Sequence, residues 1–245
     1  MFGKRKNKEK LSNNTPKIIV GQKTGESESY YRLKDNILYY SDSGKNKIFQ
    51  IESAISGEGK STVIINLAVA LANSGKKVAL LDLDFRRPQI HRSFEIVNVN
   101  GIAEYMLNEC SKEELIKHTT YGVDVINRGK ATQNASIIFT SDKFKELIDD
   151  LREEYDVVLF DCPPVLMVSD YIHISKLSDA VIYVVCAGVT LRNHLKEAIE
   201  LLKRNNVKIL GTVLTYKNLR KVSSRYGRYY GNRYYRSVKD NYMDL

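Results

Sequence analysis

The sequence predicts an α/β protein with a mostly parallel sheet flanked by helices. Strand and helix patterns alternate through the middle of the chain, as a parallel sheet requires. Several strand candidates are continuous runs of Val, Ile and Leu, which are expected when helices cover both sheet faces. With 245 residues, 43% of them hydrophobic, the chain can form one large domain or one domain with tails.

Six strands and four helices are predicted, each strand from a short apolar run and each helix from the longer segment between two such runs. The predicted strands cover residues 48–53, 77–82, 123–127, 157–161, 180–186 and 208–214. The predicted helices cover residues 61–74, 141–154, 171–176 and 191–205. Ligands bind at the carboxyl ends of the strands in such sheets. Polar residues at those ends are therefore candidate site residues.

A glycine-rich loop lies between the first strand and the first long helix. Residues 54–61 read A-I-S-G-E-G-K-S, which fits the phosphate-binding pattern G-x-x-x-x-G-K-[ST] except that Ala54 replaces the first glycine. In such a loop the backbone N–H groups face the phosphates. The Lys60 ammonium reaches the β- and γ-oxygens, and the Ser61 hydroxyl can ligate Mg²⁺. We therefore predict a nucleoside triphosphate site formed by Ser56, Gly57, Glu58, Gly59, Lys60, Ser61 and Thr62.

Two of the predicted strands end in carboxylates. The strand at residues 77–82 runs into Asp82 and Asp84, and the strand at residues 157–161 ends at Asp161. Asp161 occupies the place of the Walker B carboxylate, which holds the Mg²⁺ shell in P-loop proteins. A carboxylate beside Mg²⁺ can also accept a hydroxyl proton. The alternative is that these acidic residues cap the helices that follow.

The positive charge of the chain is concentrated at its ends. Six Lys/Arg and one Glu occupy residues 1–17, and eight Lys/Arg and two Asp occupy residues 217–245, whereas the net charge of the whole chain is +9. The part between them is therefore close to neutral. Basic ends favour lipid headgroups, nucleic acid or acidic proteins. The alternative is that they are solvated tails.

The sequence carries none of the signals of a secreted or membrane-spanning chain. Its apolar runs are shorter than the ~20 residues of a membrane-spanning helix. The basic N-terminus is not followed by the apolar region of a secretory signal. The three cysteines form no disulfide framework or metal spacing. We therefore expect a cytoplasmic protein.

The motifs, in their order and spacing, resemble those of the bacterial tyrosine kinases (BY-kinases) that regulate capsular and exopolysaccharide synthesis. The resemblance covers roughly residues 26–245 and rests on Walker A at residues 54–61, Walker A′ at 80–86 and Walker B at 159–164. It implies a P-loop kinase that uses ATP and Mg²⁺, in which the catalytic residues are Lys60, Asp82 (the base) and Asp84. Its metal ligands would be Ser61, Asp84 and Asp161.

The end of the chain strengthens this resemblance. Six tyrosines lie within the last twenty residues, and the segment lacks an apolar period, which predicts a flexible tail. The resemblance implies that they are phosphorylated on a neighbouring subunit: Tyr226, Tyr229, Tyr230, Tyr234, Tyr235 and Tyr242. Each phosphate adds about −1.5 to −2 charges, so several would invert the charge of the tail and switch assembly or membrane contact. The competing interpretation is an Arg/Tyr-rich tail that stacks on single-stranded nucleic acid.

We expect a basic flexible segment at residues 1–25, a kinase domain with an N-terminal helix at 26–216 and the tyrosine-rich tail at 217–245. The family's N-terminal E-x-x-R-x-x-R helix, which mediates ring formation, has Glu28, Tyr31 and Lys34 at the matching positions. Tyr31 replaces the first arginine, so that a bidentate contact is lost there, and Lys34 replaces the second, so that a bidentate contact is weakened. A homo-oligomer is expected, whereas a ring is in question. Cys162, where the family usually has Ser or Thr, is interpreted as a small buried thiol.

The resemblance also implies partners. A membrane adaptor of the polysaccharide chain-length regulator type would recruit the chain to the inner face of the cell membrane, and a cognate tyrosine phosphatase would reverse the modification. No nucleic acid is expected. One alternative is a partitioning-type P-loop ATPase, a binding switch that carries a lysine where this chain has Ile55. The other is a non-catalytic nucleotide-binding scaffold of a polysaccharide export complex.

Overall fold

A seven-stranded sheet forms the centre of the computed structural model, which describes residues 15–41, 46–132 and 135–216. The tail tyrosines lie outside these residues. The strands are β1 (Ile48–Ser53), β2 (Val78–Asp82), β3 (Ile116–His118), β4 (Val123–Ile126), β5 (Val157–Asp161), β6 (Ala180–Ala187) and β7 (Ile209–Tyr216). Their order in the sheet is β3-β4-β2-β5-β1-β6-β7, and only the β3–β4 pair is antiparallel. The predicted mostly parallel sheet is confirmed.

Helices cover both faces of this sheet. They are α1 (Gly25–Ser41), α2 (Lys60–Asn73), α3 (Ile90–Ser93), α4 (Ile102–Met106), α5 (Lys112–Leu115), α6 (Ala135–Thr140), α7 (Asp142–Glu154), α8 (Asp170–Ser175) and α9 (Arg192–Arg204). Alternate residues of β1 enter different cores, as strand geometry requires. Phe49 and Ile51 pack in the core that contains the apolar side chains of α2. Ile48 packs in the core that contains Phe144 of α7.

The order of β1, β2 and β5 brings the predicted motifs together. Strand β5 lies between β1 and β2 and is parallel to both. The carboxyl ends of the three strands therefore meet at one edge of the sheet, where ligands bind in this architecture. The loop after β1 and the carboxylates at the ends of β2 and β5 lie at that edge.

Residues 17–20, part of the stretch that the sequence analysis assigns to a flexible segment, pack against α2 instead. The side chain of Asn66 accepts hydrogen bonds from the backbone N–H groups of Ile19 (2.7 Å) and Val20 (3.2 Å) and donates to the carbonyl of Lys17 (2.8 Å). Val20 is buried in the core beneath α2. This part of the N-terminal segment is therefore folded, because it satisfies a buried amide side chain.

Helix α1 lies on α2 and buries little of itself. Within it, Ser27 and Ile37 are the buried residues. At the matching positions of the ring motif, Glu28 lies 3.9 Å from Arg32, and Lys34 pairs with Asp35 at 2.7 Å. The surface of this helix thus carries ion pairs within the same helix. Of the helices in the described ranges, none is both long enough and apolar enough to cross a membrane.

Candidate active site

The loop after β1 has the conformation that its glycines allow. Gly57 and Gly59 have φ values of 86° and 98°, a region that side chains other than glycine rarely adopt. A Cβ atom on Gly59 would also lie 3.4 Å from the Thr215 side chain. Ala54 is fully buried and does not have a positive φ, so alanine fits where the pattern has glycine. The departure from the pattern therefore leaves the loop intact.

Ser61 and Asp161 are joined at the start of α2. The Ser61 hydroxyl donates a hydrogen bond to Asp161 Oδ2 at 2.8 Å. The other oxygen, Oδ1, is buried and accepts no hydrogen bond from any residue that the structure describes. Burial raises the pKa of Asp161 to about 6, although Lys60 and the Ser61 hydroxyl lower it. Mg²⁺ prefers oxygen ligands. The Ser61 hydroxyl and the carboxylate oxygen of Asp161 that lacks a hydrogen-bond partner therefore fit this ion.

Asp82 lies directly opposite Asp161 in the β2–β5 register. Its Oδ2 accepts hydrogen bonds from the backbone N–H groups of Gln89 (3.0 Å) and Ile90 (3.1 Å) at the start of α3. Its Oδ1 is buried without a hydrogen-bond partner in the described part of the chain. Burial, reinforced by the charge of Asp161, raises the pKa of Asp82 well above its usual value. One oxygen thus caps a helix, and the other is a buried acceptor that no described residue uses.

Asp84 closes the turn after β2. Its Oδ1 accepts hydrogen bonds from the backbone N–H groups of Arg86 (3.2 Å) and Arg87 (3.0 Å). Its charge also raises the pKa of both Asp82 and Asp161. Because charge effects of this kind require proximity, the three carboxylates form one acidic cluster beside the loop, although no group of three such side chains in the described residues is placed to hold a metal ion.

Glu58 belongs to the frame of the loop. Its side chain is buried: Oε2 accepts a hydrogen bond from the backbone N–H of Ile55 at 2.9 Å, and Oε1 accepts one from the Thr190 hydroxyl. Its carbonyl accepts a hydrogen bond from the Thr215 hydroxyl at 2.7 Å. Both side-chain oxygens are therefore engaged within the protein, and only the backbone N–H of Glu58 remains for a phosphate.

Beneath the loop, β1 carries a buried polar pair that the sequence analysis missed. Gln50 donates a hydrogen bond to Glu52 Oε1 at 2.5 Å and accepts one from the Ser178 hydroxyl at 3.1 Å. Burial raises the pKa of Glu52 to about 8, although Lys60 lowers it. The visible signal is the pattern I-F-Q-I-E-S, in which polar residues interrupt a strand that is buried throughout.

Cys162 has no access to solvent. Its thiol donates a weak hydrogen bond to the carbonyl of Phe160 at 3.7 Å. Burial raises the pKa of the thiol well above its usual value. Because the thiolate is the reactive form, these observations favour a packing role.

A cavity of about 880 Å³ adjoins the loop on the side of β7. Its walls come from α1, the first turn of α2 and the ends of β6 and β7, and include Tyr30, Thr62, Cys186, Thr215 and Tyr216. A pocket with apolar and aromatic walls and a few polar groups is typical of small-molecule sites. Its position next to Gly57 and Gly59 makes it continuous with the phosphate loop.

Comparison with known proteins shows which family the chain resembles. The profile of a family described as "AAA domain" matches residues 46–211. Tyrosine-protein kinase YwqD of Bacillus subtilis (strain 168) is 36% identical over 222 residues, which are 90% of each chain. Tyrosine-protein kinase ptk of Acinetobacter johnsonii is 32% identical over 76% of this chain, but over only 26% of its own length.

Two solved structures show how the fold is shared. The kinase domain of Escherichia coli tyrosine kinase ETK has a TM-score of 0.74 and 28% identity, covering 78% of this chain and 76% of that one. The septum site-determining protein MinD of Pyrococcus horikoshii, complexed with Mg-ADP, has a TM-score of 0.59 and 26% identity, covering 75% and 72%. The kinase domain is thus the more similar of the two.

The fold and the loop define a P-loop protein of the AAA-domain family. Within that class, the chain belongs to the bacterial tyrosine kinases, as its identity to YwqD over most of both sequences shows. The resemblance inferred from the three motifs is confirmed.

Proposed function

We propose that this chain is an ATP-dependent protein-tyrosine kinase that phosphorylates its C-terminal tyrosine cluster on a neighbouring subunit, and so regulates capsular or exopolysaccharide synthesis and export. The observation that carries the proposal is the convergence of Lys60 and the bonded pair Ser61 and Asp161 with Asp82 at one edge of the sheet. The kinase names of the relatives support the same reaction.

Binding of ATP follows from the loop and the cavity. The loop amides and the Lys60 ammonium neutralise phosphate charge, and the cavity beside Thr62 and Thr215 accommodates the nucleoside. Ser61, Asp84 and Asp161 supply oxygen ligands for Mg²⁺, which when bound neutralises charge on the phosphates. Phosphoryl transfer needs alignment and charge neutralisation more than covalent assistance.

Asp82 is the residue that accepts the tyrosine hydroxyl proton. Its buried Oδ1 has no hydrogen-bond partner in the described residues, so a phenol that reaches the acidic cluster would meet an acceptor that no other group uses. Because burial and Asp161 raise its pKa, Asp82 holds a proton firmly once it has accepted one, which favours general-base catalysis. A cation in the acidic cluster is needed to keep Asp82 ionised beforehand.

The partners are part of the same proposal. A membrane adaptor of the chain-length regulator type would bring this cytoplasmic chain to the inner face of the membrane, and a cognate phosphatase would remove the phosphates. A homo-oligomer would supply the neighbouring tail. The rate of phosphate transfer to the tail, measured with and without the cytoplasmic segment of such an adaptor, tests the role of the adaptor. We expect the segment to increase that rate.

Mass spectrometry of the full chain, incubated with and without Mg²⁺-ATP, tests the reaction. We expect phosphate on the tail tyrosines of the natural chain and none on Lys60→Met. To test transfer between subunits, Lys60→Met serves as the acceptor, and a chain whose six tail tyrosines are replaced by Phe serves as the donor. Because the acceptor lacks the phosphate-binding lysine, phosphate on the tail of the Lys60→Met chain would have to come from the donor chain. That result would support transfer between subunits.

Two results contradict the proposal, and each favours one alternative. ATP hydrolysis without added phosphate favours the partitioning-type switch, whose fold the MinD structure shares. Nucleotide binding without hydrolysis or transfer favours the non-catalytic scaffold.

A further inference from the structure

The turn after β2 carries two adjacent exposed arginines, Arg86 and Arg87. Asp84 binds their backbone N–H groups. From the other side, the Arg128 guanidinium donates to the carbonyl of Phe85 at 2.8 Å. The backbone of the turn is therefore held in place independently of the side chains of Arg86 and Arg87.

Arg87 is directed toward the phosphate loop. Its Nη1 lies 3.5 Å from the Ser56 hydroxyl oxygen, at the long end of hydrogen-bond distances. In the described part of the chain, no carboxylate forms an ion pair with Arg87. The one side-chain hydrogen bond that Arg87 makes to a described residue is thus weak. A phosphate can replace it at little cost, because bonds between guanidinium and phosphate are among the strongest hydrogen bonds.

The position of the cavity relative to the loop indicates where the terminal phosphate of a bound nucleotide would lie. The cavity beside the loop is lined by residues 57–59, Thr62 and Thr215, whereas neither Ser56 nor Arg87 lines it. A nucleoside in that cavity would direct its phosphates along the loop toward the acidic cluster. Ser56 and the turn closed by Asp84 contact each other through Arg87, outside the cavity lining.

We propose that Arg87 binds the terminal phosphate of ATP from the turn after β2 and thereby distinguishes ATP from ADP. This inference rests on the proposed nucleotide-binding function and adds a residue to it. The guanidinium is always charged and presents a rigid fork of donors. Three carboxylates lie on that side of the phosphate. The Arg87 guanidinium adds a positive charge there, in addition to the charge of Lys60.

The test is the affinity of the full-length chain, in Mg²⁺, for ADP and for a non-hydrolysable ATP analogue, measured by calorimetry. Arg87→Met should weaken binding of the analogue about ten-fold or more, because a hydrogen bond to a charged group is lost, while ADP affinity stays within about two-fold. Arg87→Lys should restore part of the preference. Arg86→Met, the same change at the adjacent exposed arginine, should keep the natural ratio of the two affinities.

Three results overturn the inference. Arg87→Met could leave both affinities unchanged, or weaken both equally, which would indicate general damage to the loop. Alternatively, Arg86→Met could lose the preference while Arg87→Met keeps it. Measurements on the natural chain distinguish a failure of this inference from a failure of the proposed function. Phosphate transfer by the natural chain, with an unchanged affinity ratio in Arg87→Met, refutes only the role of Arg87, whereas a natural chain that binds neither nucleotide refutes both.

Discussion

The Ser61 hydroxyl lies 2.8 Å from Asp161 Oδ2, so that a hydrogen bond joins the first turn of α2 to the end of β5 across 100 residues of sequence. Each residue orients the other. Because β5 lies next to β1 in the sheet, the bond also fixes the loop relative to the strand ends. Walker A and Walker B thus form one preassembled unit.

Ser61→Ala should raise the Mg²⁺ concentration needed for nucleotide binding by about ten-fold or more, because one oxygen ligand is lost and Asp161 loses the group that orients it. A Mg²⁺ titration at fixed nucleotide concentration measures this. Ser61→Thr keeps the hydroxyl and is the matched control. An unchanged Mg²⁺ requirement in the alanine variant would exclude Ser61 from the metal site.

Asp82→Asn should preserve nucleotide binding and lower phosphate transfer by about 10²–10⁴-fold, the usual contribution of a general base. The asparagine oxygen can still accept the two hydrogen bonds from Gln89 and Ile90, so α3 keeps its cap. Calorimetry and the rate of tail labelling are compared in the same preparation. Equal losses of binding and transfer would instead assign Asp82 to the metal.

Glu58→Ala should lower the free energy of unfolding by about 1–3 kcal/mol, because it leaves the partly buried N–H of Ile55 without an acceptor. Nucleotide affinity should fall as well, since the loop loses its attachment to Thr190. Glu58→Gln, which can still accept from Ile55, should retain most of both. Urea unfolding and calorimetry measure the two effects, and an alanine variant as stable as the natural chain would refute the framing role.

Glu52→Gln should remove a pH dependence of stability. In the unfolded chain this carboxyl loses its proton near its ordinary pKa of 4.5, whereas burial keeps it protonated up to about 8 in the folded chain. The folded state therefore binds the extra proton between these values, and its contribution to stability falls as the pH rises through that window. Over the whole window the loss is on the order of 5 kcal/mol.

Urea unfolding of the natural chain and of Glu52→Gln at pH 5 and pH 8 tests this. The glutamine variant should be the more stable protein at pH 8, and the difference should shrink at pH 5. Glutamine still accepts from Gln50, so the pair remains bonded. Curves whose separation is the same at both pH values would show that Glu52 titrates normally.

Much of the fold was predictable because its central strands are unusually clear in sequence. β1, β2 and β5 are buried throughout, which requires continuous apolar runs, and β2 and β5 end in an aspartate. β3 was not predicted, since its three residues are partly exposed and it exists because it pairs with β4. The short helix α3 was missed as well, because its N-terminal N–H groups are satisfied by Asp82, which is seven residues away from Gln89.

The parts of the site that are defined by residue spacing along the chain were predictable. The parts that depend on contacts between residues far apart in sequence were not. Glycine spacing identifies the loop. The partners of Glu58, however, are Thr190 and Thr215, which lie 132 and 157 residues away in sequence. An acidic residue between two glycines therefore looks solvent-facing although it is buried. Sequence also cannot show which of the two adjacent arginines faces Ser56.

The hydrogen bond from Thr215 to the carbonyl of Glu58 has one more consequence. Thr215 is the penultimate residue of β7, so the chain reaches Tyr216 beside the phosphate loop. Tyr226 is the tenth residue after Tyr216, and a fully extended chain of that length spans at most about 35 Å. In the proposed reaction, the loop that phosphorylates Tyr226 must therefore lie within that distance of Tyr216, which constrains how neighbouring subunits pack.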